Sequence, residues 1–271
     1  MPELPEVETT RRGVEPHVKG MRVTGVTVRE PRLRWPVPAD LPLLLKGRTV
    51  LGVGRRGKYL LFAFSHGTLL IHLGMSGSLR VVDAGTPARK HDHLDLRFEG
   101  GKCLRLHDPR RFGAALWATG DVATHPLLAG LGPEPLDEGF DGSCLHREGV
   151  RRRSAVKNLI MDSHVVVGVG NIYASESLFR AGIHPQRPSN RISAARYDRL
   201  AQAICQVLNA AITQGGTTLR DFQREDGRPG YFAQELQVYG RAGEPCPGCG
   251  NPVHSRVIGQ RSSFFCPRCQ R

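Results

Sequence analysis

The chain is poor in acid relative to base, lacks an even set of cysteines and has no long apolar run. No stretch approaches the roughly 18 consecutive apolar residues that a membrane-spanning helix needs, and no lipidation motif is present. Glu3, Glu6 and Glu8 stand where a secretory leader would carry lysine or arginine. Membrane attachment and export are therefore not expected, and a cytoplasmic location is. The cysteines number seven, an odd count with four gathered near the C-terminus, which argues against a disulfide framework. Cys103, Cys144 and Cys205 lie in apolar-patterned segments, where buried free thiols are common. Against 25 acidic residues stand 38 basic ones, a formal net charge of +13. Such an excess asks for an anionic partner, and without a membrane feature that partner is nucleic acid.

What is present divides in two. The length of 271 residues, 39% of them hydrophobic, suits two modest domains with cores of their own. Leu4, Val7, Val14 and Val18 fall on one stripe of a first helix. Short alternating runs follow at 21–28, 58–64, 68–73, 94–98 and 103–107, punctuated by turn residues, and predict an antiparallel β-sandwich or barrel. The Gly- and Pro-rich segment Gly130-Leu131-Gly132-Pro133-Glu134-Pro135-Leu136 marks a boundary, after which the periodicity becomes helical. Helices are predicted over 157–162, from Asn171 as N-cap to Gly182, and from Ala194 to about Thr213 behind a Ser193 cap. The fold class is α+β.

The first turn carries possible chemistry. With Met1 removed, Pro2 would present a free secondary amine at a helix N-terminus, and an α-amino group near its reference pKa is a usable nucleophile at neutral pH. The helix dipole disfavours its ammonium form, while Glu3 and Glu6 favour it. The same residues also read as ordinary helix-start grammar.

Several other segments could touch an anion. Gly54-Arg55-Arg56-Gly57-Lys58 suits close approach to phosphate, or is a solvated basic turn. His107-Asp108-Pro109-Arg110-Arg111-Phe112-Gly113 sets a guanidinium and a ring on a tight loop, and Met75 stands on a glycine-flanked turn; such residues read base edges or wedge into a stack, unless they simply pack. His91, His93 and Asp95 alternate at strand period, and no metal is expected there. Arg147, Arg151, Arg152, Arg153 and Lys157 form a basic cluster relieved only by Glu148. Asn171, opening a helix after Gly168-Val169-Gly170, could mark a phosphate site or only a cap. Ser154 and Lys157 match Ser-x-x-Lys without the companion motifs of a serine hydrolase. The long loop from Gly215 to Tyr231 is expected to be a lid.

The sharpest spacing is Cys246-x2-Cys249-x16-Cys266-x2-Cys269. Four thiolates in two knuckles supply a closed tetrahedral site for one structural zinc. The segment between them has the make-up of a β-hairpin, with Arg256, Gln260 and Arg261 on or near its tip.

Taken together, Pro2 to Thr9, Asp108 to Gly113 and the four-cysteine hairpin closely resemble the formamidopyrimidine-DNA glycosylase family. The further stretches 56–60, 167–174 and 237–241 carry the resemblance over essentially the whole chain. The resemblance implies a β-sandwich domain (1–130), a linker (131–146), a helix-two-turn-helix domain (147–240) with a lesion-capping loop (about 215–231), and a zinc finger (241–271). DNA would lie in the cleft between the domains. It implies excision of oxidised purines from duplex DNA through a Pro2 Schiff base, then β- and δ-elimination at the abasic site. Pro2 would be the nucleophile and Glu3 a proton donor, with Glu6 supporting. Lys58 would donate a proton and contact phosphate and lesion, and Arg261 would act at phosphate in the elimination. His72, Met75, His91, Arg110, Phe112, Lys157, Asn171 and Tyr239 would contact DNA, with Arg110 reading the cytosine opposite the lesion. No organic cofactor is implied, and the protein would act as a monomer at the bacterial nucleoid. A relative that removes oxidised pyrimidines has glycine in place of Leu4 and lacks the Met/Arg/Phe set. The other alternative is a non-catalytic zinc-dependent DNA-binding protein.

Overall fold

The structure, a computed structural model, describes residues 2–216 and 236–271. Among the described residues the chain divides into two compact units, residues 2–129 with 214–216 and residues 130–213 with 236–271.

The first unit opens with α1 (Leu4–Val18), whose stripe residues Leu4, Val7, Val14 and Val18 are all buried. Proline in its first turn supplies a preset φ where no N–H is needed, and Glu6 faces the positive helix end. Then follow β1 (Val23–Val28), α2 (Leu41–Leu45), β2 (Gly52–Arg56), β3 (Tyr59–Phe64), β4 (Gly67–His72), β5 (Ser78–Asp83), β6 (Asp92–Phe98), β7 (Lys102–His107) and β8 (Ala114–Ala118). They form two four-stranded antiparallel sheets, β1-β6-β7-β5 and β2-β3-β4-β8. Phe62, Leu69 and Ile71 from one sheet and Leu94, Leu96 and Leu104 from the other meet the buried face of α1 in one core. Burial of this apolar surface is what holds the sandwich together.

The sequence pattern misses three strands. β2 covers most of the segment read as a basic turn, because Val53 is its one buried side chain and two arginines end it. β5 and β8 lack clean alternation: β8 is the continuous run Ala-Ala-Leu-Trp-Ala.

The second unit contains α3 (Gly142–Gly149), α4 (Val156–Met161), α5 (Asn171–Arg180), α6 (Ala194–Thr213) and the hairpin β9 (His254–Ile258) with β10 (Arg261–Phe265). α6 buries Tyr197, Leu200, Ala201, Ile204, Val207, Leu208 and Ala211, the stripe that its period predicts. α3 begins inside the stretch read as linker. Cys103 is buried, and burial pushes its thiol up to about 11; Cys144 and Cys205 are only half-buried. No helix among the described residues is long and apolar enough to cross a membrane. The expected lid lies, from residue 217 onward, outside the described residues.

Candidate active site and nucleic-acid interface

In the first unit Pro2 is buried directly ahead of Glu3, the N-cap of α1. Glu3 and Glu6 are each only 2% exposed and are joined in a capping box: the Glu3 N–H donates to Glu6 Oε2 at 2.8 Å. Two carboxylates are thereby fixed beside the proline by the needs of the helix end itself. Gly216, at φ +84°, comes so near that a Cβ on it would lie 3.1 Å from Glu6 Oε1.

Lys58 occupies the two-residue turn Gly57-Lys58 between β2 and β3, with Gly57 at φ +55°. An ion network braces this turn to α1. Glu8 accepts from Arg11 Nη2 at 2.9 Å, Arg12 Nε at 2.8 Å and Arg55 Nε at 3.2 Å, while Arg55 Nη1 donates to the Gly57 carbonyl at 2.9 Å. Burial alone would raise the Glu8 pKa, but the guanidinium groups of Arg11, Arg12 and Arg55 outweigh it and hold the carboxyl at about 2.

His72 pairs with Tyr59 across β3 and β4, their rings 4.9 Å apart. Burial, reinforced by the positive charges of Lys58 and Arg34, lowers its pKa to about 4. At neutral pH it is therefore an uncharged imidazole, and its Nδ1 accepts from the Gly74 N–H at 3.0 Å.

The three candidate wedges are carried by two touching segments. Arg110 is exposed and lies over the Phe112 ring at 4.8 Å, and Phe112 is 44% exposed. The turn bearing Met75 leaves no room between itself and this loop: a Cβ on Gly74 would stand 2.5 Å from Gly113 N and 2.6 Å from the Phe112 carbonyl carbon. His91, at φ +73°, borders the same loop, its carbonyl accepting from the Asp108 N–H at 3.0 Å. Desolvation, then Lys90, His107 and His93, lowers the His91 pKa. Asp92 and Asp95 are engaged by arginines, Asp92 with Arg80 at 3.0 Å and Asp95 with Arg105 at 2.8 Å.

In the second unit Lys157 has no solvent exposure at all. Its ammonium donates to Asn171 Oδ1 at 2.6 Å, Ser263 Oγ at 2.5 Å and the Ser262 carbonyl at 3.3 Å, joining α4, α5 and β10. Asn171 is not the cap that the sequence suggests. Gly170 holds that position, and Asn171 is the first helical residue. Its side chain is held elsewhere, with Nδ2 2.9 Å from the Ser262 carbonyl and 3.5 Å from the Tyr239 hydroxyl. The Tyr239 ring meets Phe264 edge-on at 5.0 Å. Glu176, a residue no sequence signal singled out, is buried on α5 and accepts the N–H groups of Gln237, Val238 and Tyr239 at 2.8, 3.0 and 2.8 Å. Burial raises its pKa despite those three bonds.

The sulfurs of Cys246, Cys249, Cys266 and Cys269 all lie within 4.8 Å of one another. A tetrahedral zinc with Zn–S near 2.3 Å holds its sulfurs about 3.8 Å apart, so the set fits one zinc with no position left for substrate. The metal would staple a small core of Val238, Val253 and Phe264. The hairpin turn Gly259-Gln260 has φ of +55° and +62°, the mirror-type turn that matches strand twist. It leaves Arg261 exposed at the start of β10, while Arg256 Nη1 donates to Gln186 Oε1 at 2.9 Å.

A basic chain with a four-cysteine hairpin suited to zinc, a sandwich with an exposed arginine over an exposed aromatic ring, and a buried proline just ahead of two buried acids points to a nucleic-acid-binding protein of enzymatic type. Comparison with known proteins narrows the class. The family models "Formamidopyrimidine-DNA glycosylase N-terminal domain", "Formamidopyrimidine-DNA glycosylase H2TH domain" and "Zinc finger found in FPG and IleRS" match residues 1–115, 131–223 and 243–271. The formamidopyrimidine-DNA glycosylases of Methylococcus capsulatus and Thioalkalivibrio sulfidiphilus are 64% and 63% identical to this chain over the whole of both proteins. Among solved structures, the MutM (Fpg) protein of Thermus thermophilus is 42% identical, with a TM-score of 0.89 over 99% of this chain and 98% of that one. A point mutant of the Lactococcus lactis Fpg, in complex with a Fapy-dG-containing DNA, is 34% identical, with a TM-score of 0.93 over the full length of both. The chain belongs to the formamidopyrimidine-DNA glycosylase family.

Proposed function

We propose that this protein is a bifunctional DNA repair enzyme that excises oxidised purines, 8-oxoguanine and formamidopyrimidines among them, and cleaves the resulting abasic site. The observation that supports the reading is the buried Pro2 directly ahead of the Glu3–Glu6 capping box, an arrangement that suits an amine nucleophile with Glu3 as its proton donor. The names of its relatives, and a Lactococcus lactis relative solved with Fapy-dG DNA, support the substrate class.

With Met1 removed, the Pro2 nitrogen attacks C1′ of the damaged nucleotide. The bond from C1′ to the base breaks, and the base leaves with the electron pair and takes up a proton. Glu3 protonates the ring oxygen, the sugar opens, and C1′ becomes an iminium on Pro2. The iminium acidifies the C2′ proton, whose loss expels the 3′ phosphate; loss of a second proton, from C4′, expels the 5′ phosphate. Water then releases the sugar remnant and restores the amine. Lys58 serves as a proton donor and contacts phosphate and lesion, Arg261 holds phosphate in the elimination step, and Glu6 supports the helix end. No organic cofactor takes part, and the zinc holds the hairpin without touching the reaction.

Met75, Arg110 and Phe112 fill the space of the extruded nucleotide, offsetting a few kcal/mol of unstacking, and Arg110 reads the opposite cytosine. The presence of all three, with Arg110 stacked over the Phe112 ring, together with Leu4 where the pyrimidine-specific relative has glycine, supports purine over pyrimidine lesions. His72, His91, Asn171 and Tyr239 contact DNA, Asn171 and Tyr239 at phosphates; Lys157, expected to contact DNA as well, is fully buried and acts instead by ordering Asn171 and β10. The four-part domain division and the capping role of residues 215–231 belong to the same reading. The enzyme acts as a monomer in the cytoplasm, at the bacterial nucleoid, a placement that the bacterial sources of its relatives and the net charge of +13 support.

The test is incubation with a duplex containing one 8-oxoguanine opposite cytosine. Free base and a one-nucleotide gap bearing phosphate at both ends are expected. An intact strand bound without turnover would instead indicate the non-catalytic binding protein.

A further inference from the structure

Asp108 has no solvent exposure, yet it stands at the mouth of the exposed probe loop in the first unit. Its backbone N–H donates to the His91 carbonyl at 3.0 Å, and its own carbonyl accepts from His93 Nε2 at 2.9 Å and the Arg111 N–H at 3.2 Å. Its Oδ2 accepts from the Gly113 N–H at 2.7 Å, closing the six-residue loop end to end. Oδ1 is buried and has no hydrogen-bond partner among the described residues. A buried carboxyl oxygen left that way costs free energy, so the Oδ2–Gly113 closure is made at some expense to stability.

What it closes on is crowded. A Cβ on Gly113 would lie 2.7 Å from the His72 carbonyl oxygen and 2.8 Å from Asp108 Oδ2, and Gly113 N itself fills the space beside Gly74. The carboxyl group thus closes the Arg110–Phe112 loop at Gly113, against which the Met75 turn packs, while the Asp108 backbone N–H ties the same loop to His91. Arg111, at φ +56°, makes the turn inside this closure, and Arg110 and Phe112 on either side of it are exposed.

We propose that Asp108 is a positioning residue for opposite-base selection: by clamping Gly113 it holds Arg110, Phe112 and Met75 as one rigid probe, and the preference for cytosine opposite the lesion depends on that clamp. This rests on the function proposed above. Asp108 touches neither lesion nor reacting atoms. Its effect is on where the Arg110 guanidinium sits, and a bidentate contact to a base edge tolerates little displacement.

The test compares the natural protein with Asp108→Ala and Asp108→Asn, the second keeping an acceptor of the same shape for the Gly113 N–H. Excision of 8-oxoguanine is timed in duplexes carrying cytosine, adenine or an abasic nucleotide opposite the lesion, with melting temperature measured alongside. The expected result for Asp108→Ala is a cytosine-over-adenine preference reduced about tenfold, with a much smaller loss on the duplex that has no opposite base. Asp108→Asn should retain most of the preference. An equal loss on all three duplexes, or an unchanged preference in a folded Asp108→Ala protein, would overturn the proposal. If Asp108→Ala does not fold, a full loss of preference in a folded Asp108→Asn protein would also overturn it, because the retained acceptor would then be shown not to matter. Failure of the natural protein to excise from any duplex would sink the functional reading itself, an outcome distinct from all of these.

Discussion

Lys157 Nζ lies 2.6 Å from Asn171 Oδ1, inside the second unit and shielded completely from water. A buried ammonium is stable only with its donors satisfied, and here two side-chain oxygens and a backbone carbonyl receive them. The lysine thus fixes Asn171 and the start of β10 relative to α4.

Replacing Lys157 with methionine keeps the volume but leaves Asn171 Oδ1 and Ser263 Oγ without this donor. A loss of about 1–3 kcal/mol in folding stability is expected, together with weaker DNA binding, because Asn171 and Arg261 both lean on this junction. Urea denaturation and fluorescence anisotropy on abasic duplex check the two effects separately. Unchanged stability would contradict the burial and bonding described.

Glu8 supplies a pH dependence whose sign is fixed. Its folded pKa, about 2, lies below the ordinary carboxylate value, so its contribution is full above about pH 4.5 and is lost as pH falls toward 2. Glu8→Gln should therefore cost about 2–3 kcal/mol at pH 7, and the gap from the natural protein should close on acidification across that window. A gap that stayed constant down to pH 2 would show that the stabilisation is not electrostatic. The same substitution should loosen the Arg55–Gly57 brace and lower turnover through Lys58.

His72 gives a second titration. Burial, Lys58 and Arg34 depress its pKa to about 4, so folding favours the neutral ring; that preference is complete above pH 6.5 and fades between 6.5 and 4. Lys58→Met removes one of the three causes and should raise the His72 midpoint toward its ordinary value, which NMR of the imidazole protons would follow. A midpoint that does not move would place Lys58 away from His72.

Removal of zinc by a chelator should unfold the hairpin and its small core, since the four thiolates would be left to repel one another. DNA affinity is expected to drop at least about tenfold, while the sandwich keeps its own melting transition. Undiminished affinity after chelation would contradict the structural role of the metal.

The reach of the sequence can be judged from particular residues. α6 was legible because its stripe is long and periodic, and the zinc site because four cysteines at fixed spacing admit few meanings. β5 and β8 were not, since their partners lie in distant segments and their side chains do not alternate. Lys157 sits in a run of arginines that reads as a solvated face, yet its acceptors come from residues 171 and 262–263 and draw it inside. The place of Asn171 as cap was taken by Gly170 for the same reason: tertiary partners claimed its amide. Asp108 was in plain view within its motif, but its closure onto Gly113 and the buried, unpartnered Oδ1 belong only to the folded chain.

The central claim is the covalent bond at Pro2, and borohydride trapping tests it most directly. Natural protein with a free Pro2 amine, Pro2→Gly, and a form retaining a residue ahead of Pro2 are each mixed with a duplex bearing one 8-oxoguanine opposite cytosine. A covalent protein–DNA adduct is predicted for the natural protein, none for the form whose Pro2 nitrogen is an amide, and a weak one at most for Pro2→Gly, whose primary amine lacks the ring. An adduct of undiminished yield in the blocked form would place the nucleophile elsewhere and contradict the account.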